Sequence, residues 1–324
     1  MEKDLPVEIG IVLYPHVQMA AVLGITDLFA LAQKIAAQHN QDNVPMMRVS
    51  HWALKAPKSA PVRVYDSMPS TQSALQMLIL PPSLETPISA QQAKPYLNWM
   101  VDQHSAGVKL ASICAGAFLL GETGLLKGRT ITTHWLYEEK FINRFADVHL
   151  DLDQLIVDSG DILTAGGVMA WTDLGLRLVA RYFGAEVMID TAKTLLIDPP
   201  GRQQRYYNAF APRLAHGDDA ILGVQQWLEE TGAKNITLSD MARYANMGER
   251  TFLRRFRKAT GMNTTDYTQR LRIARARDML QTTMTPIDSI AWDIGYKDVS
   301  AFRKVFTRIV GLTPSDYRRR FRPS

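Results

Sequence analysis

The sequence predicts two domains of different class. An α/β layer with a mainly parallel sheet is followed by an all-α domain that carries a helix-turn-helix twice. Three observations lead there. Short β-branched and apolar runs alternate with helix-length segments through the first two thirds of the chain. The last third repeats itself at a spacing of 50 residues. Charge divides in the same way: residues 1–217 hold 18 Lys and Arg against 20 Asp and Glu, and residues 218–324 hold 19 against 12. A net of +7 on the smaller part, and of +10 over residues 235–324, calls for a polyanion, with nucleic acid ahead of an anionic membrane surface.

Glu8 to Tyr14 reads as a strand that stops at Pro15, and a helical pattern runs from Ala20 to Ala37. Further strands are expected at Met46 to Leu54, Leu75 to Leu80, Lys109 to Ile113 and Thr130 to Thr133. Helices are expected at Glu85 to His104 and Ala115 to Leu126, and a hairpin within Asp153 to Ala165 around Ser159-Gly160-Asp161. The longest apolar run, Ala111 to Leu120, is short of the ~18–20 residues of a membrane span. The opening Met1-Glu2-Lys3-Asp4 carries both signs of charge, unlike a secretory leader. These features predict a cytoplasmic protein with no membrane partner.

One junction in this part carries chemistry. In Ala111-Ser112-Ile113-Cys114-Ala115-Gly116-Ala117 a strand runs directly into a helix through small residues, the sequence form of a nucleophile elbow. A helix N-terminus lowers a thiol pKa, and His134 in Thr132-Thr133-His134 offers a partner for Cys/His chemistry. The plainer alternative is a small buried cysteine that belongs to the fold. Cys114, Ala115 and His134 are taken as candidate effector-pocket residues, with no catalytic residue assigned. A single cysteine makes neither an internal disulfide nor a Cys-based zinc site, and no metal or cofactor is expected.

In the basic part, Phe252, Phe256, Gly261, Asp266 and Tyr267 fall on Phe302, Phe306, Gly311, Asp316 and Tyr317. Apolar residues four apart share a helix face, and the glycine supplies a left-handed stop. Short helices precede each unit, Leu238 to Ala245 and Ile287 to Ile294, with starts signalled by Ser239 and by Thr285-Pro286. Turns follow at Asn246-Met247-Gly248 and Gly295-Tyr296-Lys297, completing helix-turn-helix units at 238–259 and 286–309. On a helical wheel Arg250, Arg254, Arg257 and Lys258 lie opposite Phe252, Phe256 and Ala259. In the second unit Ser300, Arg303, Lys304, Thr307 and Arg308 lie opposite Phe302, Val305, Phe306 and Ile309. One such helix is an ordinary surface helix; two at fixed spacing suit the major groove. A long helix from Thr264 to Leu280, buried through Tyr267, Leu271, Ala274 and Leu280, is expected to hold the readers apart, and Gly217 to Glu230 to form the opening helix.

From residue 218 onward these motifs resemble the DNA-binding domain of the AraC/XylS family of transcription regulators. The resemblance rests on Thr237-Leu238-Ser239-Asp240-Met241-Ala242, on Ile290-Ala291-Trp292-Asp293-Ile294-Gly295-Tyr296 and on Gly311-Leu312-Thr313-Pro314-Ser315-Asp316-Tyr317-Arg318. It implies base reading by Arg250, Leu253 and Arg254, then by Ser300 and Lys304, on double-stranded DNA. The full DNA-contacting set is Arg250, Thr251, Leu253, Arg254, Arg257, Lys258, Ser300, Arg303, Lys304 and Arg308. Residues 5–195, through Ile113-Cys114-Ala115-Gly116, Gly128 to His134 and Thr164-Ala165-Gly166-Gly167, resemble the glutamine-amidotransferase-like PfpI superfamily, which is flavodoxin-like in fold. Members with thiol chemistry place a carboxylate beside the cysteine, and by spacing that position is Ala21 here.

Together these match AraC-family regulators of the GlxA type. The implied layout is a sensor and dimerisation domain at 1–197, a linker at 198–217 and a DNA-binding domain at 218–324. The stretch Gln203-Gln204-Arg205-Tyr206-Tyr207 reads as helical and as a relay of the sensor's state. The resemblance further implies an activator that forms a homodimer and engages RNA polymerase. Its effectors would be nitrogenous metabolites such as betaines, carnitine or amino acids. The alternative is a Cys-dependent amidase or glyoxalase-type enzyme that carries a DNA-binding domain.

Overall fold

Parallel strands buried on both faces read as continuous apolar runs, and the central strands here do so. The computed structural model describes residues 5–39, 45–56, 59–208 and 210–323, so Met1-Glu2-Lys3-Asp4 lies outside the described residues. The chain divides into two compact units, residues 1–204 and 205–324. In the first, Val7–Leu13 (β1) leads to Met19–Gln38 (α1), Met47–Ala53 (β2), Val62–Asp66 (β3), Ala74–Leu80 (β4) and Ala90–Ser105 (α2). Lys109–Ile113 (β5), Gly116–Gly121 (α3), Thr130–Ile131 (β6), Glu138–Arg144 (α4), His149–Leu150 (β7), Ile156–Asp158 (β8) and Ile162–Ala165 (β9) follow. Trp171–Phe183 (α5) and Ala185–Leu195 (α6) close the unit.

The main sheet has the order β3-β2-β1-β4-β5-β9-β8, with β6 and β7 paired separately. β2, β1, β4, β5 and β9 run parallel, while β3 and β8 are antiparallel edges. Ile9 sits between Val49 and Met77 in this register. One face packs against α1, α5 and α6 through Ile25, Phe29, Leu174 and Val187, and the other against α2, α3 and α4 through Tyr96, Met100, Phe118 and Phe141. This is the flavodoxin-like α/β sandwich. Among the described residues α1 alone is long and apolar enough to cross a membrane. It lies on the sheet, with Ile25, Leu28 and Phe29 in the core. Glu8, 1% exposed on β1, has its buried carboxyl oxygens met by the Ser50 and Ser73 hydroxyls and by Arg63.

Several element boundaries depart from expectation. The helix expected over Ala115 to Leu126 ends at Gly121, because the Thr123 hydroxyl donates to the Leu120 carbonyl (2.6 Å) and Gly124 takes a φ of 77°. The helix expected from Glu85 starts at Ala90, where Ser89 and Gln92 form a capping box. The strand at Thr130 stops at Ile131, since the Thr132 N–H turns to Thr164 Oγ1 (2.8 Å).

The second unit contains Asp219–Thr231 (α7), Leu238–Tyr244 (α8), Glu249–Thr260 (α9), Thr264–Thr282 (α10), Ile287–Asp293 (α11), Val299–Val310 (α12) and Pro314–Phe321 (α13). Gly261 and Gly311 end α9 and α12 at φ of 75° and 84°. The start signals are corrected by one or two residues. Thr237, not Ser239, caps α8 in a reciprocal box with Asp240, and Pro286 is itself the cap residue of α11, its ψ of 144° being extended. α10 buries Tyr267 in one core and Ile273, Ala276 and Leu280 in another, so the expected inward Ala274 is only half-buried. The stripe rotates because the helix serves two cores in succession. Within the segment 198–217, Arg202 pairs with Asp173 in the first unit, and Arg277 donates to the Tyr206 and Asn208 carbonyls in the second.

Candidate nucleic-acid interface and effector site

The helix-turn-helix residues are built from the inside out. Phe252, Phe256 and Ala259 anchor one face of α9, which leaves Arg250, Thr251, Leu253, Arg254, Arg257 and Lys258 exposed on the rest. On α12 Phe302, Phe306 and Val310 are buried, and Ser300, Arg303, Lys304 and Arg308 are exposed. Arg255, between the α9 cations in sequence, turns away from them to hold Asp218, the N-cap of α7, through two bonds of 2.7 and 2.9 Å. That guanidinium holds the Asp218 carboxyl below the usual carboxylate range. Arg303 is paired with Asp288 (2.9 Å), and Arg308 with Gln269 (2.6 Å) and, at 3.9 Å, Asp266. These exposed pairs are weak and exchangeable for phosphate.

The elbow lies at the carboxyl edge of the sheet. β1 and β4 are neighbours whose connections leave in opposite directions, the switch point at which α/β sheets bind ligands. Cys114 follows β5 with a φ of 53°, the strained left-handed turn expected of an elbow. A Cβ on Gly116 would collide with the Leu80 and Pro81 carbonyls, so the sharp approach requires glycine there. The thiol is 1% exposed. Burial pushes it up to about 12, against smaller opposing effects from the Ala115 and Gly167 N–H groups. Burial raises the pKa of the Tyr14 and Tyr137 hydroxyls, and the Cys114 thiol raises both a little further.

The expected partners do not converge on the sulfur. His134 Nδ1 accepts the Leu136 N–H at 3.1 Å, and burial lowers the imidazole's pKa. Among the described residues no hydrogen bond joins His134 to Cys114. Ala21, the position expected for the acid, is buried in α1. Just before that helix, the Gln18 backbone N–H donates to the Pro82 carbonyl (2.7 Å), and its side-chain Oε1 is buried without a partner among the described residues. A neutral thiol without a base in reach is a poor nucleophile.

Sequence reasoning did not assign Gln204 to this site. It sits on a short 3₁₀ turn, Gln204–Tyr206, and inserts its carboxamide between the loop carrying His134 and the loop at Gly166. Only its place in an Arg- and Gln-rich stretch between the domains marked it in the sequence.

A model described as a helix-turn-helix domain matches residues 241–320, and one for the DJ-1/PfpI family matches residues 62–181. The HTH-type transcriptional regulator GlxA of Rhizobium meliloti (strain 1021) is 28% identical over 217 residues, 66% of this chain and 66% of its own. The HTH-type transcriptional regulator GbdR of Pseudomonas aeruginosa (strain UCBPP-PA14) is 23% identical over 232 residues, 71% of this chain and 63% of its own. The chain thus spans just under two thirds of the length of these relatives. A solved AraC family transcriptional regulator from Pseudomonas putida is 18% identical, with a TM-score of 0.45, and covers 59% of this chain and 100% of its own.

Proposed function

We propose that this chain, in which a DJ-1/PfpI domain precedes an AraC-type helix-turn-helix domain, is a sequence-specific DNA-binding transcription regulator. The observation that carries the reading is the repeated face: two amphipathic helices 50 residues apart, each buried through paired phenylalanines and cationic outside. Arg250, Thr251, Leu253, Arg254, Arg257 and Lys258 take one major-groove segment of double-stranded DNA. Ser300, Arg303, Lys304 and Arg308 take the next, about 34 Å along the duplex. Guanidinium groups fork onto guanine edges or grip phosphates, and Leu253 offers an apolar contact to a thymine methyl. The first domain senses a small metabolite near Cys114, Ala115 and His134 and pairs two chains, and the whole acts in the cytoplasm as an activator that meets RNA polymerase.

The test is a salt titration of the full chain on operator DNA selected from random sequence. Each phosphate contact contributes a slope of about −0.9 in log affinity against log salt, so affinity is expected to fall steeply. Affinity independent of salt would overturn the electrostatic part of the reading.

The elbow geometry favours a second reading, a Cys-dependent amidase or glyoxalase-type enzyme. The buried thiol, with no hydrogen bond to His134 among the described residues, weighs against it. Turnover of glutamine or methylglyoxal is expected to be undetectable in both the native chain and Cys114→Ser. A rate that vanishes in the variant would place the enzyme reading first. With the thiol pKa raised to about 12, alkylation by iodoacetamide should run on the order of 1,000-fold below a free thiol at pH 8 and keep rising with pH through 10. A plateau below pH 9 would mean an activated thiolate.

A further inference from the structure

Gln204 is 3% exposed, and every polar group of its carboxamide is met by loops of the first unit. Nε2 donates to the Thr133 carbonyl (3.0 Å), the Leu152 carbonyl (3.2 Å) and Thr132 Oγ1 (3.3 Å). Oε1 accepts the Trp135 N–H at 3.0 Å. A primary carboxamide offers two N–H donors and one carbonyl, and the recess presents acceptors around the nitrogen and a donor at the oxygen. Gly166 makes the space: a Cβ there would stand 2.6 Å from Nε2 and 2.8 Å from Cδ. The backbone of Gly166 is not left-handed, so it is Gln204, and not chain conformation, that needs the glycine. The recess adjoins the elbow, since the Thr133 hydroxyl donates to the Cys114 carbonyl at 2.8 Å.

We propose that this recess is a binding site for primary carboxamides, and that Gln204 occupies it as a tethered competitor of small-molecule amides. While seated, the side chain pins the segment that leaves the first unit, together with the Gln154–Gln203 bridge and the bond from the Gln204 N–H to the Asp153 carbonyl (3.1 Å). A tethered group acts at an effective concentration in the millimolar range, so a free amide displaces it only at such levels or with added contacts to the elbow. A carboxylate of the same shape is rejected, because it has no N–H to give and would face two carbonyl oxygens. The inference rests on the proposed function only in taking the elbow face as the place where effectors enter.

Gln204→Ala in the full chain removes a fragment that acetamide replaces. Tryptic cleavage after Arg202 and Arg205, and hydrogen exchange of the Trp135 amide, report whether the segment is seated. Both are expected to rise about tenfold in the variant, to be restored saturably by acetamide and to be unaffected by acetate at equal ionic strength. In the native chain acetamide should act only at millimolar levels or above, where it displaces the Gln204 side chain and speeds cleavage, and acetate should not. Gly166→Ala fills the recess while keeping Gln204, so it should speed cleavage without rescue. The proposal is overturned if Gln204→Ala is cleaved no faster than the native chain, or if acetamide and acetate act alike. General unfolding of the variant would show as acceleration that neither additive reverses, which also counts against it. No readout involves DNA, so failure here leaves DNA recognition standing, and failed operator binding leaves the recess standing.

Discussion

In the first helix-turn-helix unit Phe252 packs on Phe256 at 5.4 Å, and Phe256 meets Tyr267 edge-on at 5.2 Å. Fifty residues later Phe302 packs on Phe306 at 5.7 Å and Phe306 meets Tyr317 at 5.6 Å. Each tyrosine hydroxyl accepts from a neighbouring side chain: Gln225 for Tyr267 (3.0 Å), and Arg277 (2.9 Å) and Gln281 (2.5 Å) for Tyr317. The outer edges differ. α8 opens with the Thr237–Asp240 box, whereas α11 opens at Pro286 with no side-chain cap. Among the described residues no carboxylate pairs with Arg250, Arg254, Arg257 or Lys258, while Arg303 and Arg308 of the second unit are engaged with acids. Dense packing leaves the two interiors little freedom to diverge, and the outer faces have no such constraint. Affinity for a polyanion is therefore expected to be unequally shared, with the larger part on α9.

The largest expected effects test the shared core. Phe256→Ala and Phe306→Ala should each cost about 3–5 kcal/mol in chemical denaturation, as buried rings replaced by cavities do. Losses that differ by more than about 2 kcal/mol would show that the repeats are alike in sequence but not in energetics. Next comes the outer face. Arg254→Ala should weaken operator binding by about 1–3 kcal/mol, and Arg303→Ala by less, because Arg303 must first leave Asp288. Asp288→Asn should then tighten binding slightly. Equal losses at the two arginines would remove the proposed inequality.

The smallest effect concerns the caps. Thr237→Ala should destabilise the second unit by about 1 kcal/mol, and Pro286→Ala by much less. The Thr237 hydroxyl and N–H bonds hold the Asp240 carboxyl below its usual range. A depressed folded pKa stabilises above the ordinary carboxylate value and is lost as pH falls through and below about 4. Acidification should therefore loosen α8 before α11, and Thr237→Ala should flatten that difference. Amide exchange of the two helices between pH 5 and 3 measures it; simultaneous loosening would mean that the box contributes nothing.

Local periodicity is readable one element at a time, and where it dominates, the expectations hold. The α/β alternation, the double helix-turn-helix and the left-handed stops at Gly261 and Gly311 were all legible. Boundaries set by side-chain competition were not: Thr123 on the Leu120 carbonyl and Thr132 on Thr164 ended elements early. β3 was missed because Val62 to Asp66 exposes Arg63, Val64 and Tyr65 in a row, without the alternation of a half-buried strand, and pairs only along the sheet edge. The elbow turn at Cys114 was legible from the strand-to-helix junction. The state of its thiol was not, since the apolar cluster that buries it draws on segments as distant as Ile25 and Leu174.

By itself the sequence determined which helices carry charge outward, because a 3.6-residue period places Phe252 and Arg254 on opposite faces whatever surrounds them. It also determined that a cysteine would stand at a strand-to-helix turn. Tertiary structure alone decided which cations remain unpaired, what encloses the thiol, and that Gln204 fills a recess whose walls come from residues 132–135, 152 and 166. The physical reason is range. Helix faces and turns are governed by neighbours within about four residues, whereas burial and hydrogen-bond satisfaction depend on groups brought together from segments as far as 151 residues apart, as His39 and Asp190 are.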